Sequence, residues 1–154
     1  MSEEASIYLF DVDGTLTPAK SKMDKTFKKQ FMEWMEGKSV YIISDNSLLH
    51  IMEQLGSDIV HKAEVIFACE DQRLIERKNT NRDWEIIAEG EDKARLASAL
   101  SSKLNKRRAR FFHNNFIPFC EHYSLTETLR SLGCEVVIVT SPQDTLNHIL
   151  NEGS

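Results

Sequence analysis

The chain has few of the features that mark secreted, membrane-spanning or nucleic-acid-binding proteins. Its three cysteines form no C-x-x-C pair, and their odd number argues against a disulfide framework. No apolar run reaches the roughly 18 residues of a membrane-spanning helix, and the acidic start Met1–Glu4 is unlike a signal peptide. With 24 acidic residues against 19 Lys and Arg, the chain has no general attraction for nucleic acid or acidic membranes. We therefore expect a one-domain cytoplasmic protein whose partner is a small molecule, with neither nucleic acid nor membrane as a partner.

One short segment near the start carries the clearest chemical signal. The apolar stretch Ile7–Phe10 is typical of a buried strand, and Asp11 and Asp13 follow at its carboxyl end. Side chains two residues apart in an extended segment point to the same side, so the two carboxylates are expected to converge. Gly14 permits a sharp turn, and Thr15 offers a hydroxyl and an N–H to an anionic oxygen. Because open α/β sheets bind ligands outside the carboxyl ends of their strands, the segment predicts a phosphoryl-transfer site.

The two aspartates are predicted to have different roles. Phosphoryl transfer needs a nucleophile, a proton shuttle and cations that neutralise the phosphate oxygens. We expect Asp11 to be the nucleophile that forms an aspartyl-phosphate, and Asp13 to act first as general acid and then as general base. Both are also expected to bind Mg²⁺, a hard cation that prefers oxygen ligands. The alternatives are an acidic turn or a calcium loop, although an EF-hand needs Glu at loop position 12, where the chain has Lys22.

Hydrophobic periodicity predicts alternating strands and helices, and therefore an α/β fold with a Rossmann-like parallel sheet flanked by helices. The predicted strands are 6–10, 39–43, 65–68, 73–76, 84–88 and 135–140. The predicted helices are 24–36, 47–55, 91–104, 124–132 and a last one capped by Ser141. Phe111–Phe112 and 116–119 suggest a further extended piece, which we place at a sheet edge because of Pro118.

The middle of the chain has a different pattern of predicted secondary structure from its two ends. We predict a core formed by 1–68 and 121–154, interrupted by a small α+β insertion at 69–120. The alternative is that the insertion is fully merged into the core. The length of the whole chain corresponds to about one domain.

The residues of the first motif also carry a family resemblance. Residues 10–17, F-D-V-D-G-T-L-T, resemble the signature of the haloacid dehalogenase (HAD) superfamily of phosphatases and phosphomutases. The continuation as far as Lys20 is similar to eukaryotic-type phosphomannomutases, as are 51–56, 65–68 and the phrase S-P-Q-D-T at 141–145. The resemblance implies a HAD-like core with a reduced cap and Mg²⁺-dependent chemistry. Its substrate would be a phosphosugar such as a hexose phosphate, handled by mutase or phosphatase action.

The same resemblance implies phosphate or substrate contacts at four further positions. In HAD enzymes a Ser or Thr after the second strand holds the phosphate, which indicates Ser44, whereas direct alignment with phosphomannomutases places that serine on Asn46. A helix cap is the alternative role for this segment. Lys20 corresponds to a substrate-binding Arg of the family, with a solvated surface position as the alternative. Asn115 falls near a cap position that contacts sugar.

The chain departs from the family at two catalytic elements. The Lys that steadies the transferred phosphate falls on Leu125, and the acidic metal-binding loop has no room between Leu132 and Ser141. Asp144 could complete the metal shell, although its place three residues after Ser141 favours a capping role. These departures leave a second function open, that of a catalytically impaired phosphomannomutase-like protein acting as a binding or regulatory module.

Basic residues are concentrated in one run, at Lys103, Lys106, Arg107, Arg108 and Arg110. Such runs are usually solvated helix ends, but in a lid this one could attract a phosphorylated ligand. The five histidines show no metal-ligand spacing, and we expect them to be structural.

Overall fold

The structure, a computed structural model, describes residues 6–44, 46–68, 73–77, 84–89, 102, 104, 108–114, 129–131 and 133–152. The strands are β1 Ile7–Phe10, β2 Ser39–Ser44, β3 Val65–Ala68, β4 Arg73–Arg77, β5 Trp84–Glu89, β6 Ala109–Asn114 and β7 Glu135–Val139. The helices are α1 Lys25–Met35, α2 Leu48–Leu55, α3 Ser57–Lys62 and α4 Pro142–Glu152. Within these ranges, no helix has both the length and the apolar character that a membrane crossing requires.

The strands of the described part form a single sheet in the order β5-β4-β3-β2-β1-β6-β7. The five strands from β3 to β7 in this order are parallel, and β4 and β5 extend the sheet as antiparallel strands beside β3. Strand β1 lies at the centre of the parallel part, where Phe10 is opposite Ile42 of β2 and Phe112 of β6. The predicted class, an α/β fold with a parallel sheet flanked by helices, is confirmed.

Side chains of β1 alternate between two hydrophobic clusters, one on each face of the sheet. Phe10 and Val12 belong to the cluster that includes residues of α1, α2 and α4. Ile7 and Leu9 belong to the second cluster, which contains the helical residue Leu129. Both faces of β1 are thus covered, and the residues at its carboxyl end extend from a rigid, buried strand.

Aromatic packing joins α1 to the central strands. The helix buries the apolar stripe predicted from its sequence, namely Phe27, Phe31, Trp34 and Met35. The ring centroid of Phe10 lies 5.2 Å from that of Phe31 and 5.8 Å from that of Trp34, both in edge-on geometry. On its other side Phe10 stacks on Phe112 at 5.0 Å. Such pairs contribute about 0.5–1.5 kcal/mol beyond their buried area, so they stabilise the strand that precedes Asp11.

The prediction of an edge strand over Phe111–Phe112 is wrong. Strand β6 pairs with β1 on one side and β7 on the other, which places these residues inside the sheet. The prediction rested on Pro118, which lies beyond the end of β6 and outside the described residues. Helix α3 was not predicted either, since its six residues are too few to show a helical period.

The predicted boundaries of an insertion at 69–120 stay a prediction. The described strands of this stretch, β4, β5 and β6, all belong to the same sheet as β1. This agrees with the alternative in which the segment is merged into the core. Among the remaining predictions, the helix at 91–104 except residues 102 and 104, the extended piece at 116–119 and the start of the helix at 124 lie outside the described residues.

Candidate active site

Buried polar residues gather at the carboxyl end of the parallel strands. They come from three strand ends and one helix: Asp11 and Asp13 after β1, Ser44 and Asn46 at β2, His113 and Asn114 in β6, and Gln54 in α2. Asp11 is 3% exposed and Asp13 is 5% exposed. Carboxylates are seldom buried to this degree unless they have hydrogen-bonding or cationic partners, so the surroundings of each one matter.

Asp13 is held by three hydrogen-bond donors. Its Oδ1 accepts from the backbone N–H of Lys20 at 2.7 Å and from Nε2 of Gln54 at 2.8 Å. Its Oδ2 accepts from Nδ2 of Asn46 at 3.3 Å. The structure therefore brings Asp13, Lys20 and Asn46 together. Lys20 takes part through its main chain, with a left-handed φ of 54°, while its side chain is exposed.

The loop after β1 turns back tightly on itself. Gly14 has a φ of 79°, which suits glycine, and its N–H donates to the carbonyl of Thr17 at 2.7 Å. The N–H of Thr15 donates to the carbonyl of Val12 at 3.1 Å, so the turn itself uses the donor that we expected an anion to take. The Thr15 hydroxyl is different. It is fully buried and has no hydrogen-bond partner among the described residues, as a group awaiting a ligand oxygen would be.

Two contacts connect Asp11 and the loop to strand β6. The backbone N–H of Asp11 donates to the carbonyl of Phe112 at 3.0 Å, which continues the pairing of β1 with β6. The Asp11 carboxylate accepts the N–H of Val12 at 2.8 Å. Two residues beyond Phe112, the last residue of β6 that is paired with β1, Nδ2 of Asn114 donates to the carbonyl of Gly14 at 2.9 Å. The loop is therefore attached to the neighbouring strand by backbone and side-chain hydrogen bonds.

Ser44 lies at the end of β2 and does not cap the following helix. Its Oγ accepts the backbone N–H of Asn46 at 3.0 Å, whereas the cap of α2 is Ser47, whose Oγ accepts from the N–H of His50 at 3.1 Å. Through this contact Ser44 orients the segment that carries Asn46. The phosphate-binding roles of Ser44, Asn46, Lys20, Gly14 and Thr15 stay predictions.

Asp144 has the capping role that its spacing favoured. Its Oδ2 accepts the backbone N–H of Thr140 at 3.0 Å, and its own N–H donates to Oγ of Ser141 at 3.1 Å. These two bonds, one with Thr140 and one with Ser141, form the start of α4. The remaining predicted positions, Asn115 and the substituted Leu125, lie outside the described residues.

Two residues of the site, Gln54 and Asn114, had no predicted role. A signal for Gln54 was present, because it occupies a helix whose other buried residues, Ile51 and Leu55, are apolar. A buried polar residue on such a stripe implies a specific partner. For Asn114 the sequence offered no comparable signal, since its neighbour Asn115 is equally polar.

His113 also lies at this end of β6. Its ring stacks on Phe111 with centroids 5.4 Å apart. Burial, and to a smaller extent the positive charge of Arg130, lower the pKa of the His113 imidazole below its usual 6.5. The ring is therefore expected to be neutral near pH 7.

The donor set at this end of the sheet suits Mg²⁺. The described residues contain no group of three or more His, Cys, Asp or Glu side chains arranged for a metal ion. Mg²⁺, however, is commonly bound by one or two carboxylates together with waters and phosphate oxygens. The two buried aspartates and the buried hydroxyl of Thr15 supply oxygen atoms only, in keeping with such a shell.

Part of the sequence is similar to phosphomannomutases. Phosphomannomutase 1 from Mus musculus and from Homo sapiens is 32% identical to the chain over 68 residues, which is 43% of this chain and 26% of each relative. Phosphomannomutase from Spinacia oleracea is 33% identical over 67 residues. The chain thus spans about a quarter of the length of these relatives. No protein-family model matches it.

The fold is similar to that of solved IMP-nucleotidase structures from Plasmodium falciparum. The IMP-bound, N-terminally truncated enzyme superimposes with a TM-score of 0.60 at 10% identity, covering 96% of this chain and 68% of that one. An IMP-bound point mutant of the same enzyme gives a TM-score of 0.61, also at 10% identity, covering 95% and 66%. Identity this low establishes a shared fold and nothing about substrate.

Fold and site together define the class: the chain has the HAD-like Rossmannoid α/β fold, with paired aspartates at the end of the central strand. Over 68 residues, which is 43% of the chain, the sequence is also similar to that of phosphomannomutases.

Proposed function

We propose that this protein catalyses Mg²⁺-dependent phosphoryl transfer through an aspartyl-phosphate on Asp11, with a small phosphate ester such as a hexose phosphate as substrate. The observation that carries the proposal is the buried pair Asp11 and Asp13 at the carboxyl end of the central parallel strand. Two buried carboxylates are costly for stability unless hydrogen-bond donors or a cation compensate them, and a bound Mg²⁺ would supply such a charge.

The proposed reaction has two halves. In the first, a carboxylate oxygen of Asp11 attacks the phosphorus, the bond to the leaving oxygen breaks, and Asp13 gives that oxygen a proton. In the second, a water or an acceptor hydroxyl attacks the same phosphorus, gives its proton to Asp13 and releases the Asp11 carboxylate. Bound Mg²⁺, with the Asp11 carboxylate among its ligands, would neutralise charge on the phosphate oxygens. The Thr15 hydroxyl, which is buried and has no partner among the described residues, would donate a hydrogen bond to one of them.

The sugar-phosphate assignment rests on sequence similarity. The segment that contains the aspartates has the phosphomannomutase-like pattern, and the relatives carrying it are named for mannose phosphate. Both outcomes of the second half-reaction belong to the proposal. Transfer to water would make the protein a phosphatase, and transfer to a second sugar hydroxyl would make it a mutase.

The proposal is tested with mannose 1-phosphate and p-nitrophenyl phosphate in the presence of Mg²⁺. Free phosphate and mannose 6-phosphate are measured in parallel, which separates hydrolysis from isomerisation. We expect Asp11→Asn to lower turnover by about 10³-fold or more, because loss of the nucleophile removes the covalent route. The matched control is Asp58→Asn on α3, an exposed aspartate that pairs with Lys28 and is expected to keep wild-type turnover.

A second readout does not depend on choosing the right substrate. Mg²⁺ with beryllofluoride, a phosphate mimic, should raise the melting temperature of the wild type and leave that of Asp11→Asn unchanged. If the wild type shows neither turnover nor a shift in melting temperature, the proposal is wrong. The binding-module alternative would then be favoured.

A further inference from the structure

We infer that Gln54 is a positioning residue that fixes the orientation of the Asp13 carboxylate for its proposed proton transfer. The inference rests on the proposed function and deepens it, because it assigns a role to a residue outside the first motif. Its basis is the hydrogen-bonded group of Gln54, Asn46 and Asp13, in which every amide hydrogen has a partner.

Gln54 is anchored from several directions. It is 4% exposed, and its helix neighbours Ile51 and Leu55 lie in the hydrophobic core. Its backbone carbonyl accepts the N–H of Met23 at 2.9 Å, which ties α2 to the chain segment after the first motif. A side chain held by packing and main-chain contacts in this way can impose an orientation on the group it touches.

The orientation of the Gln54 amide follows from its neighbours. Nε2 lies 2.8 Å from Oδ1 of Asp13 and 3.2 Å from the carbonyl oxygen of Ser21. A carbonyl oxygen and a carboxylate oxygen both accept hydrogen bonds and cannot donate them. The NH₂ group must therefore face them. The carbonyl Oε1 then faces Asn46, whose Nδ2 donates to it at 2.9 Å. The second hydrogen of that Nδ2 is directed to Oδ2 of Asp13 at 3.3 Å.

These contacts make the two oxygens of Asp13 unequal. Oδ1 accepts two short hydrogen bonds, from Lys20 and Gln54, so both of its lone-pair directions are occupied. Oδ2 accepts only the longer bond from Asn46 among the described residues. The Gln54 amide therefore holds Oδ1 in a fixed direction, and this sets the orientation of the whole carboxylate.

The experiment compares two substrates that differ in their need for a general acid. Phenyl phosphate releases a weakly acidic phenol and benefits from protonation of the leaving oxygen, whereas p-nitrophenyl phosphate releases a much better leaving group. Gln54→Met keeps the length and removes both donors. We expect kcat/KM for phenyl phosphate to fall by about 30–100-fold, while kcat/KM for p-nitrophenyl phosphate falls by less than about 3-fold.

Controls separate positioning from general damage. Gln30→Met makes the same change at an exposed site on α1 and should leave both values unchanged. Gln54→Glu is the second variant, in case Gln54→Met does not fold. It keeps the shape but turns an acceptor toward Asp13, and the same imbalance between the substrates is expected. Folding of each variant is checked by circular dichroism.

The outcomes are distinct. An equal loss on both substrates, or no loss on either, overturns the role of Gln54 while the proposed function stands, provided that Asp11→Asn is inactive. A wild type that hydrolyses neither aryl phosphate overturns the positioning role. It overturns the proposed function as well if mannose 1-phosphate is not turned over and Mg²⁺ with beryllofluoride does not raise the melting temperature. A selective loss on phenyl phosphate supports both.

Discussion

The two ends of the parallel sheet contrast in how they treat polar groups. At the carboxyl end, Asp13, Gln54 and Asn114 are buried and bonded to partners from other elements. The amino end has a cavity of about 110 Å³, which is lined by Ser6, Arg108, Ala109, Arg110, Gly133 and Glu135. Here the ion pair between Arg110 and Glu135, 3.2 Å long, joins directly opposed residues of β6 and β7, and the Glu135 side chain is 63% exposed.

The difference shows at which end of the sheet polar groups are removed from water. Buried polar groups must be fully bonded or the protein loses stability, whereas exposed ones can exchange protein partners for water. The carboxyl end therefore contains costly groups with defined geometry, as a reaction site requires. The amino end contains polar groups whose loss should matter little. Arg108 and Arg110, the described members of the basic run, lie at this end, away from the predicted nucleophile.

The largest stability effect is expected at Asn114. Asn114→Ala removes the hydrogen bond to the carbonyl of Gly14 and leaves that buried oxygen without this donor, at a cost of about 1–3 kcal/mol. Urea denaturation measures the loss. The matched control is Asn147→Ala on α4, where the side chain is exposed and a change within about 0.5 kcal/mol is expected. Equal losses at the two sites would contradict the contrast between buried and exposed polar groups.

A smaller effect, with opposite signs at two buried threonines, is expected from Thr→Val changes. Thr15→Val removes a buried hydroxyl with no partner among the described residues, so we expect a gain of about 0.5–1.5 kcal/mol in unfolding free energy. Thr145→Val removes a buried hydroxyl that donates to the carbonyl of Ser141, and about 1 kcal/mol should be lost.

Activity distinguishes the two threonine variants further. If the Thr15 hydroxyl serves a phosphate oxygen, Thr15→Val should also lower kcat/KM by about tenfold, as loss of one hydrogen bond does. Thr145→Val should keep its kcat/KM. A Thr15→Val protein that is stabilised and fully active would remove Thr15 from the site.

The smallest effect is expected at the amino end of the sheet. Arg110→Gln breaks the ion pair with Glu135, and because the pair is partly exposed to solvent the loss should be at most about 0.5 kcal/mol. The same denaturation experiment, repeated at high salt, should show a still smaller difference. A loss above about 1.5 kcal/mol would mean that removing a polar partner costs as much stability at this end of the sheet as at the other.

Local patterns predicted most of the described elements to within two residues. The stripe on α1 has a helical period, and the apolar runs at β1, β2 and β3 are short and rich in β-branched and aromatic residues, as buried strands are. The helix cap at Ser141 and the turn at Gly14 follow from local backbone chemistry. The six-residue helix α3 and the position of β6 could not be predicted in this way. The first is too short to show a period, and strand order is decided by pairing across the sheet.

The residues of the candidate site also fall into two groups, those that local sequence could predict and those that it could not. The aspartates were recognisable from sequence because the signal, two carboxylates at the end of an apolar strand before Gly14, is contained in a few adjacent residues. Their partners were not. Gln54 lies 41 positions from Asp13, and Asn114 lies 100 positions from Gly14. No local rule relates residues so far apart.

The sequence by itself therefore determined the chemistry of this protein's site: an acidic pair, a tight turn and a buried strand to carry them, all set by interactions between neighbours along the chain. Only the tertiary structure decided which side chains orient that chemistry. Parallel pairing of β1 with β2 and β6 aligns the carboxyl ends of distant segments at one edge, and burial there makes each polar group depend on a partner that folding alone brings near.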